Sequence, residues 1–260
     1  MSYQTLLTSL ENNIYIITIN RPEKLNSFNR EMALALQQRL GECNASPEIR
    51  CVYITGNGKG FCAGQDLAEV GNFNSPGMHI ILREQFNPIV AKIRKLEKPV
   101  IAAVNGVAAG AGANIALCCD IIVAASSVSF VQAFSKIGLI PDSGGTFMLP
   151  RLIGWQKASA IMMLGDKISA EEAERIGMIY KVFPDEVFAD ESKKIAHTLA
   201  SMPTKALWYT KQALSWSFSH TWNEQLMNED KLQQRAAETA DFKEGVKAFL
   251  EKRKPEFRGE

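Results

Sequence analysis

The feature that most constrains this chain is the apolar run from Ile101 to Cys119, rich in Gly, Ala and Asn. It is entered through Val100-Ile101-Ala102-Ala103-Val104, a stretch apolar on both faces. A strand with no polar face belongs in the middle of a sheet covered on both sides. Asn105-Gly106 then reads as a turn, and from about Gly110 through Cys118 the pattern becomes helical. This is buried core rather than a membrane span, because no stretch supplies the ~18 uncharged apolar residues that a span needs.

The flanking sequence extends the same alternation. Ile14, Ile16, Ile17 and Ile19 form a β-rich run ending at Asn20-Arg21-Pro22, a strand entering a turn. Asn29 to Cys43 carries Met32, Leu34, Leu36 and Leu40 among polar residues and reads as an amphipathic helix capped by Asn29. Cys51 to Thr55 is a second strand, followed by the glycine-rich Gly56 to Gly60. Ile80 to Lys98 reads as a helix ending before Pro99, and Asp120 to Ala124 and Val128 to Val131 as further strands. From Ser169 onward helices dominate: Ala170 to Ile176, Asp185 to Ser201, Pro203 to Ser217, Thr221 to Thr239 and Asp241 to Lys252. The expectation is an α/β core over residues 1–180 followed by a helical region over 181–260.

Composition excludes several classes. The 260 residues are 46% hydrophobic and 22% charged, an ordinary globular balance that permits one large domain or two small ones. A net charge of +1 gives no field to attract nucleic acid or an anionic membrane. Cys43, Cys51, Cys62, Cys118 and Cys119 are odd in number and lack a C-x-x-C spacing, so they read as reduced thiols. With no apolar core to a signal peptide in Met1 to Asn20, the expected location is cytoplasmic. His79, His197 and His220 match no metal spacing, and no metal site is expected.

Four segments could carry chemistry, each with two readings. Gly60 to Leu67 is either an ordinary strand-to-helix loop or a turn whose small residues let a ligand reach backbone N–H groups. Asn105 to Asn114 is either tight helix packing or a strand-to-helix junction offering free N–H groups to an anion. Its glycines do not fit the dinucleotide fingerprint. In Gly138 to Thr146, Asp142 is either an Asx turn or helix cap, or a lone carboxylate whose pKa rises in apolar surroundings so that it serves as a base. The basic end, Phe249 to Lys254, is either a solvated terminus or a holder of phosphate.

Taken together, Asn20 to Ser27, Phe61 to Leu67, Asn105 to Asp120 and Ile137 to Leu149 resemble the crotonase (enoyl-CoA hydratase/isomerase) superfamily, in the right order along the chain. The resemblance implies a ClpP-like spiral of ββα units with a helical C-terminal trimerisation region, assembled as a homotrimer or hexamer. It implies an acyl-CoA substrate, with CoA carried by the substrate and no other cofactor. By position, the oxyanion hole would be the backbone N–H groups of Gln65 and Ala111. Lys24, Leu25, Ala63 and Asp66 would contact CoA, and Phe249 and Lys252 would reach the CoA of a neighbouring subunit.

Hydratases of this family use two glutamates, and this chain has Asn114 and Phe134 in their places. Asp142 falls where family isomerases keep one acidic residue. The strings Ala133 to Asp142 and Phe61 to Leu67 resemble the ring-1,2-epoxyphenylacetyl-CoA isomerase branch, which also shifts double bonds between the 3 and 2 positions of enoyl-CoA. The expected enzyme is therefore an acyl-CoA isomerase with Asp142 as acid/base. The alternatives are a thioesterase or hydratase of the same superfamily, or a non-catalytic acyl-CoA-binding member. Acyl specificity is assigned to Gly71 to Arg83, of which Gly71 to Met78 has turn composition, and to the helices around Phe147 and Trp155.

Overall fold

The computed structural model describes residues 5–70 and 77–260; most of the Gly71 to Met78 turn therefore lies outside the described residues. Among the described residues ten strands form two sheets. They are β1 (Leu6–Glu11), β2 (Ile14–Ile19), β3 (Cys51–Gly56), β4 (Gly60–Cys62), β5 (Val100–Val104), β6 (Val107–Ala109), β7 (Ile121–Ala125), β8 (Ser129–Val131), β9 (Lys167–Ser169) and β10 (Lys181–Phe183). The larger sheet has the order β1-β2-β3-β5-β7-β10 and is parallel except for the β1–β2 hairpin. The smaller has the order β4-β6-β8-β9, with only β8–β9 antiparallel.

The central position expected for Val100 to Val104 is where β5 sits, between β3 and β7, and all five residues are fully buried. The two sheets are tied by short links. β3 leads directly to β4, and β5 to β6 through the Asn105-Gly106 turn, so each strand pair steps from one sheet to the other. Close packing requires glycine at this step: a Cβ on Gly106 would lie 2.2 Å from the Lys59 carbonyl oxygen. The Asn105 side chain closes the link, accepting from Gly56 N (2.9 Å) and donating to Gly58 O (2.9 Å).

Twelve α-helices surround the sheets: α1 (Arg30–Ala45), α2 (Leu67–Val70), α3 (Met78–Ile81), α4 (Asn87–Lys95), α5 (Ala111–Leu117), α6 (Gly145–Ile153), α7 (Trp155–Leu164), α8 (Ala170–Arg175), α9 (Asp185–Ser201), α10 (Thr204–Trp216), α11 (Trp222–Ala237) and α12 (Ala240–Leu250). Asn29 caps α1 as expected, its side chain accepting from Met32 N at 2.9 Å.

The helix read over Ile80 to Lys98 is interrupted. A π turn, Leu82–Phe86, separates α3 from α4. The cause is Pro88, which has no N–H to give the Glu84 carbonyl. Gln37 supplies it instead, donating Nε2 to Glu84 O at 2.8 Å and to Gln85 O at 3.0 Å.

The last core strand, β10, comes after residue 180 and pairs with β7. Beyond it, α9 is joined to β3 through the hydrogen bond between Tyr53 Oη and Ser192 Oγ (2.7 Å). The Lys211 ammonium on α10 is buried and donates to Ile93 O, Lys98 O and Asp120 Oδ2, the last at 2.8 Å. Asp120 in turn accepts from Val100 N at 2.8 Å, at the entrance of β5. The C-terminal residues fold back onto α12, where the buried Asp241 carboxylate accepts from Arg258 N (2.6 Å) and Gly259 N (2.7 Å). Arg50, just before β3, donates to Phe257 O (2.7 Å) and Met202 O (2.6 Å). Among the described residues no helix is long and apolar enough to cross a membrane.

Candidate functional site

Three segments converge at the step between the sheets. The first is the turn after β2. Leu25 and Asn26 both have positive φ, 47° and 59°. The buried Asn26 side chain holds this shape, accepting from Arg21 N (2.8 Å) and donating to Asn57 O (2.9 Å) and Gly60 O (2.6 Å). Asn is among the few residues that tolerate the left-handed region, and here its amide is fully used.

The second segment is Ala63 to Asp66. Ala63 N donates to Leu25 O at 3.0 Å, and Phe28 exchanges bonds with Gly64 O (2.7 Å) and Asp66 N (2.9 Å). In a parallel bridge of this kind the residue between the two bonded groups turns its own N–H to the opposite side. The N–H of Gln65 therefore points away from Phe28. The third segment lies on that side. A Cβ on Gly64 would be 2.9 Å from Ala109 O and 3.4 Å from Ala111 N.

Ala111 opens α5, where first-turn N–H groups have no intrahelical acceptor. Gly110 N is taken by Val131 O at 2.8 Å, whereas no acceptor among the described residues takes Ala111 N. A Cβ on Gly112 would fall 2.3 Å from Cys62 O. The glycines at 64 and 112 thus let the two segments approach closely, and among the described residues no acceptor takes the N–H of Gln65 or of Ala111.

Asp142 is attached to the same helix. Asn114, fully buried one turn into α5, donates Nδ2 to Asp142 O at 2.8 Å. Its Oδ1 accepts from Gln132 Nε2 at 2.7 Å. Gly145 N also donates to Asp142 O (2.8 Å). From side chains among the described residues the carboxylate accepts one hydrogen bond, Ser143 Oγ to Oδ1 at 2.8 Å. Burial raises the Asp142 pKa above the ordinary aspartate value, the Ser143 bond and the Asp142 backbone N–H oppose it, and no charged side chain among the described residues contributes. Phe134 is buried, with its ring about where a Cβ on Gly110 would touch it (3.7 Å). Asn114 therefore offers an amide already engaged, and Phe134 a hydrocarbon ring.

Asp66 behaves oppositely. Burial pushes its pKa up, but the Arg21 guanidinium (2.9 Å) and Ala68 N (3.1 Å) more than offset this and hold it below the ordinary value. It is a fixed anion rather than a proton carrier. Lys24 ends the 3-10 turn Pro22–Lys24 and is exposed, and Leu25 is 43% exposed beside it. The structure thus gathers Lys24, Leu25, Ala63, Gln65, Asp66, Ala111 and Asp142 around one step in the fold.

Phe249 and Lys252 are not gathered there within the chain. Phe249 lies in the last turn of α12 and lines a separate groove with Pro203, Gln233, Asp241 and Val246. Three residues escaped the sequence reading: Gln132, Ser143 and Arg21. The run Asp-Ser-Gly-Gly before a helix was a usable signal for a tight turn at Ser143; Gln132 gave none.

The chain belongs to the enoyl-CoA hydratase/isomerase family, whose sequence model matches residues 9–260. Members of this family act on CoA thioesters. The chain is 46% identical over 98% of both sequences to a protein of Escherichia coli named 1,2-epoxyphenylacetyl-CoA isomerase. It is 42% identical, over all of both sequences, to one of Rhodobacter capsulatus named probable enoyl-CoA hydratase. Among solved structures, an enoyl-CoA hydratase of Bacillus anthracis superimposes with a TM-score of 0.92 at 33% identity, covering 99% of this chain and 100% of that one. The crotonase fold expected from the four motifs is thereby shown.

Proposed function

We propose that this enzyme isomerises an acyl-CoA through a thioester enolate, with Asp142 as its single acid/base. The Asp142 carboxylate removes a proton from a carbon conjugated with the thioester. Negative charge moves to the thioester oxygen, which accepts from the N–H groups of Gln65 and Ala111, and the proton returns at another carbon. Two preorganised donors aimed at the developing oxyanion can each contribute ~3 kcal/mol of barrier reduction. Lys24, Leu25, Ala63 and Asp66 line the CoA path, with Phe249 and Lys252 serving a neighbouring subunit's CoA.

The observation that carries this reading is that one carboxylate, with its pKa raised by burial, is tied through its main chain to Asn114, while the Phe134 ring is buried beside Gly110 at the start of the same helix. One such group is enough to move a proton between carbons. Hydration in this family calls on two glutamates, and here the second carboxylate is replaced by a hydrocarbon ring. The 46% identity to a named epoxyphenylacetyl-CoA isomerase supports a ring-epoxide substrate opened to an oxepin, with a 3-to-2 enoyl-CoA shift as a second activity.

A cytoplasmic homotrimer or hexamer belongs to the same reading. It is supported by exposed apolar side chains on the last helices, among them Phe242, Phe249 and Leu250. Light scattering on the purified chain checks the assembly.

Incubation with 3-enoyl-CoA in deuterated water tests the chemistry. The 2-enoyl product and label at the α and γ carbons are expected, both lost by ~10²–10⁴-fold in Asp142→Asn. Free CoA release would instead indicate a thioesterase, a 3-hydroxyacyl product a hydratase, and tight binding without turnover a non-catalytic member.

A further inference from the structure

We propose that Ser143 is a positioning residue, whose hydroxyl aims the Asp142 carboxylate and keeps it anionic for proton removal. This rests on the acid/base reading of Asp142 and names the device that makes it work.

The backbone provides the first observation. Asp142 to Gly145 is a tight turn, closed by Gly145 N donating to Asp142 O (2.8 Å), and both central residues have positive φ: 51° at Ser143 and 79° at Gly144. Such turns favour Gly, Asn or Asp at the first of these positions. A Cβ in the left-handed region is unfavourable, and serine has no amide to offset it. The chain nevertheless places serine there, and buries it to 2% exposure.

The second observation is where its one donor proton goes. Ser143 Oγ donates to Asp142 Oδ1 at 2.8 Å. The main chain on both sides is immobilised. Both lone pairs of Asp142 O are engaged, by Gly145 N and Asn114 Nδ2, and Ser143 O accepts from the Cys118 thiol at 3.6 Å. The carboxylate torsion is then the remaining freedom, and the Ser143 hydroxyl is the one described side chain that fixes it. Oδ2, which no described side chain contacts, is left as the oxygen that takes the substrate proton; the hydroxyl proton stays on Ser143.

The surroundings make this bond decisive for the charge of Asp142. From α5 it faces Asn114, which is neutral, and the Cys118 thiol, pushed up to about 11 by burial and so also neutral. Behind Asn114 stands the neutral Gln132, and Phe134 is a hydrocarbon. No described cation offsets the burial of Asp142. Two donors to the charged form then favour the anion, the Ser143 hydroxyl and the Asp142 N–H, and the hydroxyl is the larger influence and the one a side-chain substitution can remove.

Ser143→Gly and Ser143→Ala both delete the hydroxyl but differ in backbone strain, which glycine relieves and alanine keeps. The measurement is kcat/KM against pH for isomerisation in both variants and in Asp142→Asn. In both Ser143 variants the acidic limb is expected to move up by about one pH unit, the size of one charge-assisted hydrogen bond, with KM unchanged. Ser143→Gly is expected to melt at or above the wild-type temperature, which separates the effect from misfolding. An acidic limb that stays in place in both variants, even if the rate drops at every pH, overturns the inference while an inactive Asp142→Asn leaves the proposed function standing. A fully active Asp142→Asn overturns both.

Discussion

The sheet core and the last three helices solve opposite problems with the same 260-residue chain. In the core, β5 is buried on every residue and its neighbours β3 and β7 are nearly so. Glycines replace side chains wherever two segments meet too closely for a Cβ. Beyond α9 the pattern inverts. Helix α11 rests on α10, and α12 on α11. Their outer faces leave Trp222 76% and Phe249 82% exposed. The strands complete their own packing, whereas the tail, like α7 with Trp155 and Met163, leaves apolar surface exposed. Amphipathic helices gain most of their stability from the surface they cover, so such a tail has apolar area still uncovered.

That contrast can be broken or sharpened by substitution. Lys211→Ala strikes the joint between the two regions, leaving the Asp120 carboxylate with Arg94 (3.3 Å) and Val100 N (2.8 Å) as its remaining partners. A loss of ~3 kcal/mol is expected in chemical denaturation. If the regions are as distinct as their packing implies, the loss comes with a separate early transition of the tail, seen as tryptophan fluorescence from Trp208, Trp216 and Trp222.

Gly112→Ala acts wholly within the core. Its methyl group would meet Cys62 backbone and side chain, and ~1–3 kcal/mol should be lost without that early transition. Phe249→Ala and Trp222→Ala act wholly within the tail. Each should stay within about 0.5 kcal/mol in the unfolding of the isolated chain yet lower the mass found by light scattering.

The smallest effect is electrostatic. Because burial raises the Asp142 pKa, the folded state retains a proton that the unfolded state has released, so stability falls as pH rises through that window. Asp142→Asn should therefore melt higher than wild type at neutral pH, with the difference vanishing below the ordinary aspartate value of about 3.9.

Much of the core was legible because it obeys local rules. An apolar strand, an Asn-Gly turn and a side-chain cap at Asn29 each announce themselves within a few residues. The π turn did not, because Pro88 has its effect through a carbonyl four residues earlier and a glutamine from another helix. Three-residue strands such as β4, β6 and β9 are too short to show alternation. In the candidate site, Asp142 stood out as a carboxylate between Pro141 and a Ser-Gly-Gly turn, while Gln65 and Ala111 were pointed to by the family resemblance alone. The Ser143 hydroxyl was not, since a serine does not advertise positive φ. Nor was Gln132, whose role exists only because β8 brings it beside α5.

The clasp formed by Arg50, Asp241 and the final residues has a consequence for synthesis. Arg50 leaves the ribosome early, but its partner carbonyl on Phe257 lies 207 positions later, beside the N–H groups caught by Asp241. Domains fold as units in the order they emerge. The strands of the core can therefore assemble while translation continues, but α12 cannot be clasped until residues 257–259 have emerged. A chain cut before Phe257 would keep its strands and lose the clasp.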